Sequence, residues 1–141
     1  MKVSDILKTK GNKIFTVTGD TTVYDALQMM AEKNIGALMV MDGETLTGVI
    51  SERDYARKII LKGKTSHDTE VNEIMTEEVI IVTPEDYIEK CMSLMSEKHI
   101  RHLPVVVDNK VLGLISIGDV VMAIIQTQKE TIDHLHTYIS Q

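Results

Sequence analysis

Residues 48–54, GVISERD, recur 65 positions later as residues 113–119, GLISIGD. The same shift places residues 14–60 on residues 79–125, with fourteen identities in 47 aligned positions and no gap. About three identities would be expected by chance at ordinary composition. Farther upstream, the residues VSDIL that begin at Val3 match VNEIM at a shift of 68. The chain therefore contains two copies of one structural unit, and such internal repeats predict the fold more strongly than any local pattern.

Each copy shows the same order of predicted elements. A short β-branched run, residues 14–17 in the first copy, is followed by a polar turn and by apolar residues at three- and four-residue spacing, which indicate a helix. Two strands joined by a tight turn come next, and a second helix opens at Ser51 or Ser116. The sequence predicts an α/β (α+β) fold of two β-α-β-β-α units. Because one such sheet leaves apolar surface uncovered, we expect the units to pack about a pseudo-twofold axis.

The repeat also predicts the domain boundaries. We expect a first unit at residues 1–62, a polar and mobile connector at 63–70, a second unit at 71–128 and an extended C-terminal helix at 129–141. The last helix carries a short heptad seam, which either pairs with a second chain to give a homodimer, the option that we favour, or folds back on its own unit. The seam positions are Val121, Ile125, Gln128, Ile132, Leu135 and Ile139.

Composition limits the possible functions. The 141 residues carry 15 Lys and Arg against 21 Asp and Glu, a net charge of −6, and an acidic surface repels the phosphate backbone of a nucleic acid. The apolar runs are far shorter than the ~18 residues of a membrane helix, and the N-terminus does not resemble a signal peptide. The single cysteine, Cys91, indicates a reducing compartment. We expect a cytoplasmic protein without a nucleic-acid or membrane partner.

No combination of residues indicates catalysis. The common nucleotide-binding, hydrolase and metalloprotease motifs are absent from the sequence. Of the five histidines, His134 and His136 are two residues apart and would point to different sides of a helix, which makes a poor metal pair. We expect no catalytic residue, no metal and no catalytic cofactor.

The repeated feature with chemical potential is a serine followed by an aspartate at each strand-to-helix junction, Ser51 with Asp54 and Ser116 with Asp119. A helix N-terminus exposes backbone N–H groups that favour anions, and a carboxylate can accept two hydrogen bonds from the vicinal hydroxyls of a ribose. The alternative is an ordinary capping box, Ser-x-x-Asp, that needs no ligand. Recurrence at the same register favours ligand binding, and both interpretations remain open.

Together these motifs resemble a tandem pair of cystathionine β-synthase (CBS) domains, a Bateman module. The resemblance extends from about residue 3 to residue 128 and implies a regulatory module that binds an adenosine-containing ligand. AMP is the ligand that we favour; ADP, ATP, NAD and S-adenosylmethionine are the alternatives. The family usually forms head-to-head dimers, and a structural dimerisation domain without a ligand is the alternative function. The motifs are TVT at 16–18, IVTP at 81–84, IRHLPVV at 100–106, and the two junctions.

The resemblance implies two ligand sites in which each Ser-x-x-Asp faces the first two strands of the other unit. Basic side chains occur mainly in the first site, so we expect a phosphorylated ligand to prefer it and the second to be empty or to hold a less charged ligand. The implied first site comprises Ser51, Arg53, Asp54, Arg57, Lys58, Val79, Ile81, Ile100, Arg101, His102 and Pro104. The implied second site comprises Ser116, Asp119, Ile14, Thr16, Ile35, Gly36 and Ala37.

Overall fold

The computed structural model describes residues 1–11 and 13–140, so Asn12 and Gln141, the last residue of the predicted extension, lie outside the described residues. The mixed α/β class, the two repeated units and the long C-terminal helix are confirmed. In chain order the elements are α1 (Val3–Lys10), β1 (Thr16–Val17), α2 (Val23–Lys33), β2 (Ala37–Asp42), β3 (Thr45–Ser51), α3 (Glu52–Lys58), a 3₁₀ helix (Ile60–Lys62), α4 (Val71–Ile74), α5 (Ile88–Lys98), β4 (His102–Val107), β5 (Lys110–Ser116) and α6 (Ile117–Ser140).

The strands of the first repeat form a three-stranded sheet in the order β1-β2-β3. Strand β1 runs parallel to β2, with Thr16 level with Met39. Strand β2 runs antiparallel to β3, with Ala37 opposite Ser51. The start of β2 and the end of β3 therefore lie at the same edge of the sheet.

The second repeat has the same topology with a shorter first strand. Strands β4 and β5 form a two-stranded sheet, and the predicted strand before them is reduced to one parallel bridge between Val82 and Val105. The N–H of Val82 donates to the carbonyl of Pro104 at 3.0 Å, and the N–H of Val106 donates to the carbonyl of Val82 at 2.9 Å. The first repeat has one pair more, Thr16 with Met39. The residue equivalent to Met39 is Pro104, which has no N–H to donate to the first strand, so this pair is missing from the second repeat.

Two compact units share the chain. The first-repeat unit comprises Lys13–Ile80 with the turn Asp108–Val111, and the second-repeat unit joins the N-terminal segment to Ile81–Val107 and to the segment that begins at Leu112. Each unit thus takes its short leading helix from the other repeat: α1 belongs to the second-repeat unit and α4 to the first-repeat unit. The boundaries of the two compact units therefore differ from the boundaries of the two sequence repeats.

In each unit the short leading helix, or the residues directly after it, packs against a glycine of the last strand. A Cβ at Gly48 would lie 2.6 Å from Sδ of Met75 and 2.9 Å from the carbonyl oxygen of Thr76. A Cβ at Gly113 would lie 2.9 Å from Cδ2 of Leu7. The two glycines are equivalent in the repeat, and so are Leu7 and Met75. A neighbouring segment approaches the strand closely at both glycines, through backbone as well as side chain at Gly48 and through the end of a leucine side chain at Gly113.

Each unit has its own apolar core. Cys91 is buried, which confirms its predicted position in the core, and burial raises the pKa of its thiol, which disfavours the reactive thiolate. Met30, Met39 and Met95 are buried among branched side chains, where an unbranched thioether fills irregular gaps. The buried cluster of the first-repeat unit comprises Val17, Val23, Ala26, Met30, Leu38, Val40, Ile50, Ile59, Val71 and Ile74. Buried residues of the second-repeat unit include Ile88, Cys91, Met95, Leu103, Val105 and Ile115.

The connector makes hydrogen bonds and a ring contact with the start of α2, while its expected mobility stays a prediction. Thr69 is buried and its carbonyl accepts from the N–H of Val23 at 2.9 Å. The N–H of Tyr24 donates to the carbonyl of Ser66 at 3.0 Å, and the rings of Tyr24 and His67 stack with their centroids 3.9 Å apart. The connector supplies acceptors for N–H groups at the start of α2 that have no partner within the helix.

Helix α6 is 24 residues long, and its second half is exposed. Its apolar seam is open to solvent, from Ile125, which is 51% exposed, to Ile139, which is 78% exposed. Within the described residues, no helix is both long and apolar enough to cross a membrane.

Candidate functional site

The first serine–aspartate junction forms a complete capping box. Ser51 is the N-cap of α3, and its Oγ accepts from the N–H of Asp54 at 3.2 Å. Oδ2 of Asp54 accepts from the N–H of Ser51 at 2.9 Å and from its hydroxyl at 3.1 Å. Lys58, one turn further along α3, places Nζ 3.2 Å from Oδ1 of Asp54 and donates to the carbonyl of Ile74 at 2.7 Å. The carboxylate and its cation therefore lie on the same helix.

The second junction forms the same box with a cation from elsewhere. Oδ2 of Asp119 accepts from the N–H of Ser116 at 2.8 Å, and the N–H of Asp119 donates to Oγ of Ser116 at 3.1 Å. The cation is Lys10, whose Nζ donates to Oδ2 of Asp119 at 2.7 Å and to the carbonyl of Leu114 at 2.6 Å. Sequence reasoning did not include Lys10 in either site.

The capping box, one of the two interpretations of the sequence, is thus present at both junctions. It does not use up the carboxylates, because each has two oxygens and about four acceptor positions. The box occupies only Oδ2. Oδ1 of Asp54 lies against Lys58, and at Asp119 the hydrogen bonds from Ser116 and Lys10 both go to Oδ2. The box orients each carboxylate at a helix N-terminus and leaves it acceptor capacity for a ligand.

Each junction lies beside the start of the neighbouring strand of its own unit. Ala37 is opposite Ser51, and the N–H of Glu52 donates to the carbonyl of Gly36 at 3.1 Å. In the second-repeat unit the N–H of Ile117 donates to the carbonyl of Arg101 at 2.8 Å. The reason is topological: two antiparallel strands that follow each other in the chain bring the start of the first beside the end of the second.

The structure consequently groups the predicted residues by unit. One set belongs to the compact unit that contains Asp54, and the equivalent set, 65 positions later, belongs to the unit that contains Asp119, except that Val79 falls in the first-repeat unit. Contacts from each junction to the strands of the other unit, which the resemblance implies, stay a prediction. The set in the unit of Asp54 is Ile14, Thr16, Ile35, Gly36 and Ala37. The set in the unit of Asp119 is Ile81, Ile100, Arg101, His102 and Pro104.

The junction at Asp119 carries a positive charge that the sequence analysis did not assign to it, the ammonium of Lys10. Burial raises the pKa of Asp119, but the hydrogen bonds from Lys10 and Ser116 outweigh it and the net shift is downward. Burial lowers the pKa of His102, and the positive charge of Lys10 lowers it further. The edge of the second-repeat unit therefore carries an ionised Asp119, a neutral His102 and the cations Lys10 and Arg101 at neutral pH. The preference of phosphorylated ligands for Asp54 stays a prediction, and Lys10 is a cation at Asp119 that this prediction did not include.

The contact between Lys10 and Asp119 could not be predicted from the sequence because no local pattern connects the two residues. The two residues are 109 positions apart, whereas Lys58 follows Asp54 at the i,i+4 spacing that is recognisable in any helix. The available signal was indirect. Ala123 occupies the position equivalent to Lys58, so the second carboxylate has no cation at the i+4 position of its helix.

A surface depression of the first-repeat unit lies away from most of the predicted site residues. Of those residues it contains only Thr16. It carries no convergent cations or serine–aspartate pair, and it supplies no argument for a ligand site. Within the described ranges, no group of three His, Cys, Asp or Glu side chains could hold a metal ion. The lining residues are Thr16, Val17, Thr18, Thr21, Asp25, Met29, Met41 and Gly43.

Comparison with known proteins identifies the family. The CBS domain model matches residues 3–61 and again residues 71–126. The chain is 44% identical over 146 residues to the CBS domain-containing protein CBSX3, mitochondrial, of Arabidopsis thaliana, covering 97% of this chain and 71% of that protein. A solved structure of a protein with CBS domains from Burkholderia ambifaria is 49% identical, with a TM-score of 0.87, and the match covers 91% of this chain and 96% of that one. The CBS domain pair of protein MJ0100, in complex with 5′-methylthioadenosine and S-adenosyl-L-methionine, is 25% identical with a TM-score of 0.78, over 88% of this chain and 99% of that one. With the family unit present twice and over most of its length, this chain belongs to the CBS domain family.

Proposed function

We propose that this CBS domain pair is a regulatory module that binds an adenosine-containing ligand at the serine–aspartate edge of its units, and that it is not an enzyme. The observation that carries the proposal is the carboxylate fixed by a capping box at a helix N-terminus in both units, with acceptor capacity remaining. AMP is the ligand that we favour; ADP, ATP, NAD and S-adenosylmethionine are the alternatives. The MJ0100 domain pair in complex with two adenosine-containing compounds supports this ligand class.

Each edge offers groups suited to the three parts of a nucleotide. Asp54 or Asp119 would accept from the ribose hydroxyls, the helix N-terminus and nearby cations would bind phosphate, and exposed apolar side chains such as Ile14 and Ile81 would contact adenine. The proposed first site comprises Ser51, Arg53, Asp54, Arg57, Lys58, Ile14, Thr16, Ile35, Gly36 and Ala37. The proposed second site comprises Ser116, Asp119, Ile81, Ile100, Arg101, His102 and Pro104.

Regulation would follow from the ligand's unequal affinity for two conformations of the module, since a ligand shifts a population only by its differential affinity. The target would be another protein that reads the conformation of the pair. Cytoplasm is the compartment that we propose from the single buried cysteine, although the name of the Arabidopsis relative places that protein in mitochondria.

We expect AMP at about 100 times its Kd to stabilise the protein by roughly 2.7 kcal/mol, which raises Tm by about 8 °C for a chain of this size. A thermal-shift panel of AMP, ADP, ATP, NAD and S-adenosylmethionine would measure it. GMP at the same concentration is the matched control, because it has the same ribose and phosphate, and we expect a shift of less than about 2 °C. Absence of a shift with every adenosine compound, or consumption of AMP in a chromatographic assay, would contradict the proposal.

We also propose that the protein is a homodimer in which the exposed seam of α6 pairs with the same seam of a second copy. Ile125, Ile132 and Ile139 occupy one core position of the heptad, and Val121, Gln128 and Leu135 occupy the other. Isoleucine at the first position followed by leucine at the second, as at Ile132 and Leu135, favours two parallel strands. A seam of this kind is self-complementary, which a twofold-symmetric dimer requires.

Replacing Ile132 and Leu135 together with aspartate is expected to convert the dimer to a 15.8 kDa monomer, because two charges per chain would enter the apolar seam. Light scattering after size exclusion would report the mass. The matched control is His134→Asp, on the same turn but off the seam, which should remain a dimer. An unchanged mass in the seam variant, or a monomeric wild type, would contradict this arrangement.

A further inference from the structure

The cation that neutralises Asp119 comes from a different segment of the chain. Lys10 is the last residue of α1, and its Nζ reaches both Oδ2 of Asp119 and the carbonyl of Leu114. In the first-repeat unit the corresponding cation is Lys58, on the same helix as its aspartate. The two junctions therefore differ in which helix carries the lysine that pairs with the aspartate.

Neither lysine has a lysine at the equivalent position of the other repeat. The position equivalent to Lys58 in the second copy is Ala123, which has no charge. Counting on from the match of Leu7 with Met75, the position equivalent to Lys10 is Glu78, which is acidic. Each copy thus has one lysine for its aspartate, but from opposite sides of the junction.

Helix α1 holds the Lys10 ammonium at this edge. At the start of the helix, the N–H groups of Val3 and Ser4 donate to the carbonyls of Asp86 and Pro84 at 2.9 and 3.0 Å. Near its end, Leu7 packs over Gly113. A ligand can reach the ion pair, because the side chains of Lys10 and Asp119 are 37% and 25% exposed.

The two hydrogen bonds of the Lys10 ammonium leave one of its N–H donors for a ligand. A lysine ammonium has three N–H donors, and the two hydrogen bonds of Lys10 use two of them. A ligand whose ribose is held by Asp119 would bring its next substituent toward the same helix N-terminus. An anionic substituent there would gain a charge-assisted hydrogen bond from Lys10, whereas a neutral nucleoside would gain none.

We propose that Lys10 is a ligand-binding residue that gives the Asp119 site a preference for anionic over neutral adenosine ligands. The inference rests on the proposed function and assigns it a specificity-determining residue outside both sets of predicted site residues. It also implies that an anionic ligand at Asp119 contacts the end of α1. At Asp54 the cation belongs to α3 instead, and Lys58 donates from there to the carbonyl of Ile74, the last residue of α4.

The test measures AMP and adenosine binding by calorimetry in an Asp54→Ala background, which leaves the Asp119 site to report. Lys10→Gln removes the charge but keeps a donor for the carbonyl of Leu114, and we expect it to weaken AMP binding about tenfold while adenosine binding stays within about twofold. The matched control is Lys8→Gln. It removes the same charge from an exposed position in the same last turn of α1, and it should leave both affinities within about twofold.

Lys10→Arg keeps the positive charge and should retain the preference for AMP, which separates the charge from any loss of packing. An unchanged ratio of AMP to adenosine affinity in Lys10→Gln, or an equal loss of both affinities, would overturn the assignment of Lys10 and leave the proposed function standing. A wild-type protein that binds neither AMP nor adenosine would overturn the proposed function and this inference together.

Discussion

Replacing Gly48 with alanine is expected to lower the free energy of unfolding by about 3 kcal/mol. The added Cβ would meet Sδ of Met75 at 2.6 Å and the carbonyl oxygen of Thr76 at 2.9 Å. The methionine can rotate away, but the carbonyl is held because Thr76 and Val49 exchange backbone hydrogen bonds of 2.9 and 3.1 Å. The methyl group can be accommodated only if this bridge opens. Urea unfolding, with the slope m compared between variants, would measure the loss.

The matched control for this prediction is Gly113→Ala in the second-repeat unit. Its Cβ would meet only Cδ2 of Leu7, the far end of a flexible side chain, at 2.9 Å. We expect a change within about 1 kcal/mol, because rotation of the leucine relieves the contact and alanine reduces the entropy of the unfolded chain. Adding Met75→Ala should not restore Gly48→Ala, since the backbone carbonyl remains. Equal losses at Gly48 and Gly113 would contradict the contact geometry.

Removing both carboxylates, by Asp54→Ala with Asp119→Ala, is expected to weaken AMP binding at least about 100-fold. Hydrogen bonds to a charged acceptor contribute about 1.5–3 kcal/mol each, and losing a pair from the ribose corresponds to about 3 kcal/mol. Each single variant should retain the other site. Calorimetry has to be done well below the Tm of each variant, because losing a capping box also costs about 1 kcal/mol of stability.

Asp86→Ala is the control that separates ligand binding from this loss of stability. Oδ2 of Asp86 accepts from the N–H of Thr83 at 2.8 Å, and Oδ1 accepts from Lys90 at 3.0 Å. The hydrogen bond from Thr83 lowers the pKa of this carboxyl, so Asp86 is a comparably hydrogen-bonded carboxylate outside the proposed sites. We expect AMP affinity within about twofold of wild type. If Asp86→Ala and the double variant weaken binding equally, Asp54 and Asp119 are not the ribose acceptors.

Most of the fold could be predicted because the sequence pattern of each element occurs in both repeats. The helices at Val23–Lys33 and Ile88–Lys98 and the two antiparallel strand pairs were predicted from apolar spacing and turns, and the structure confirms them. The first strand of the second repeat is reduced to a bridge at Val82 because Pro104, the equivalent of Met39, has no N–H to donate to it. Seeing this requires the register against β4, which the sequence does not contain.

The site was predictable only where its contacts are local. Ser51 with Asp54 and Ser116 with Asp119 are three residues apart, so the chain reveals each pair directly. The grouping of the strand residues required the antiparallel register of β2 on β3. Predicting Lys10 as a neighbour of Asp119 would have required knowing that α1 packs in the second-repeat unit. Similarity between the copies shows what is equivalent, but not which copy of a leading helix packs on which sheet.

The exchange of leading helices has a consequence for the origin of the chain. A solitary ancestral repeat would lack a neighbour's helix over its strand glycine, and could complete its fold only by swapping helices with a second molecule. Such an ancestor would assemble in a concentration-dependent way. Fusion of two copies makes the swap intramolecular, so that the missing helix is always present at a high effective concentration. A stretch such as Met75 over Gly48 is then the remnant of what was once a subunit boundary.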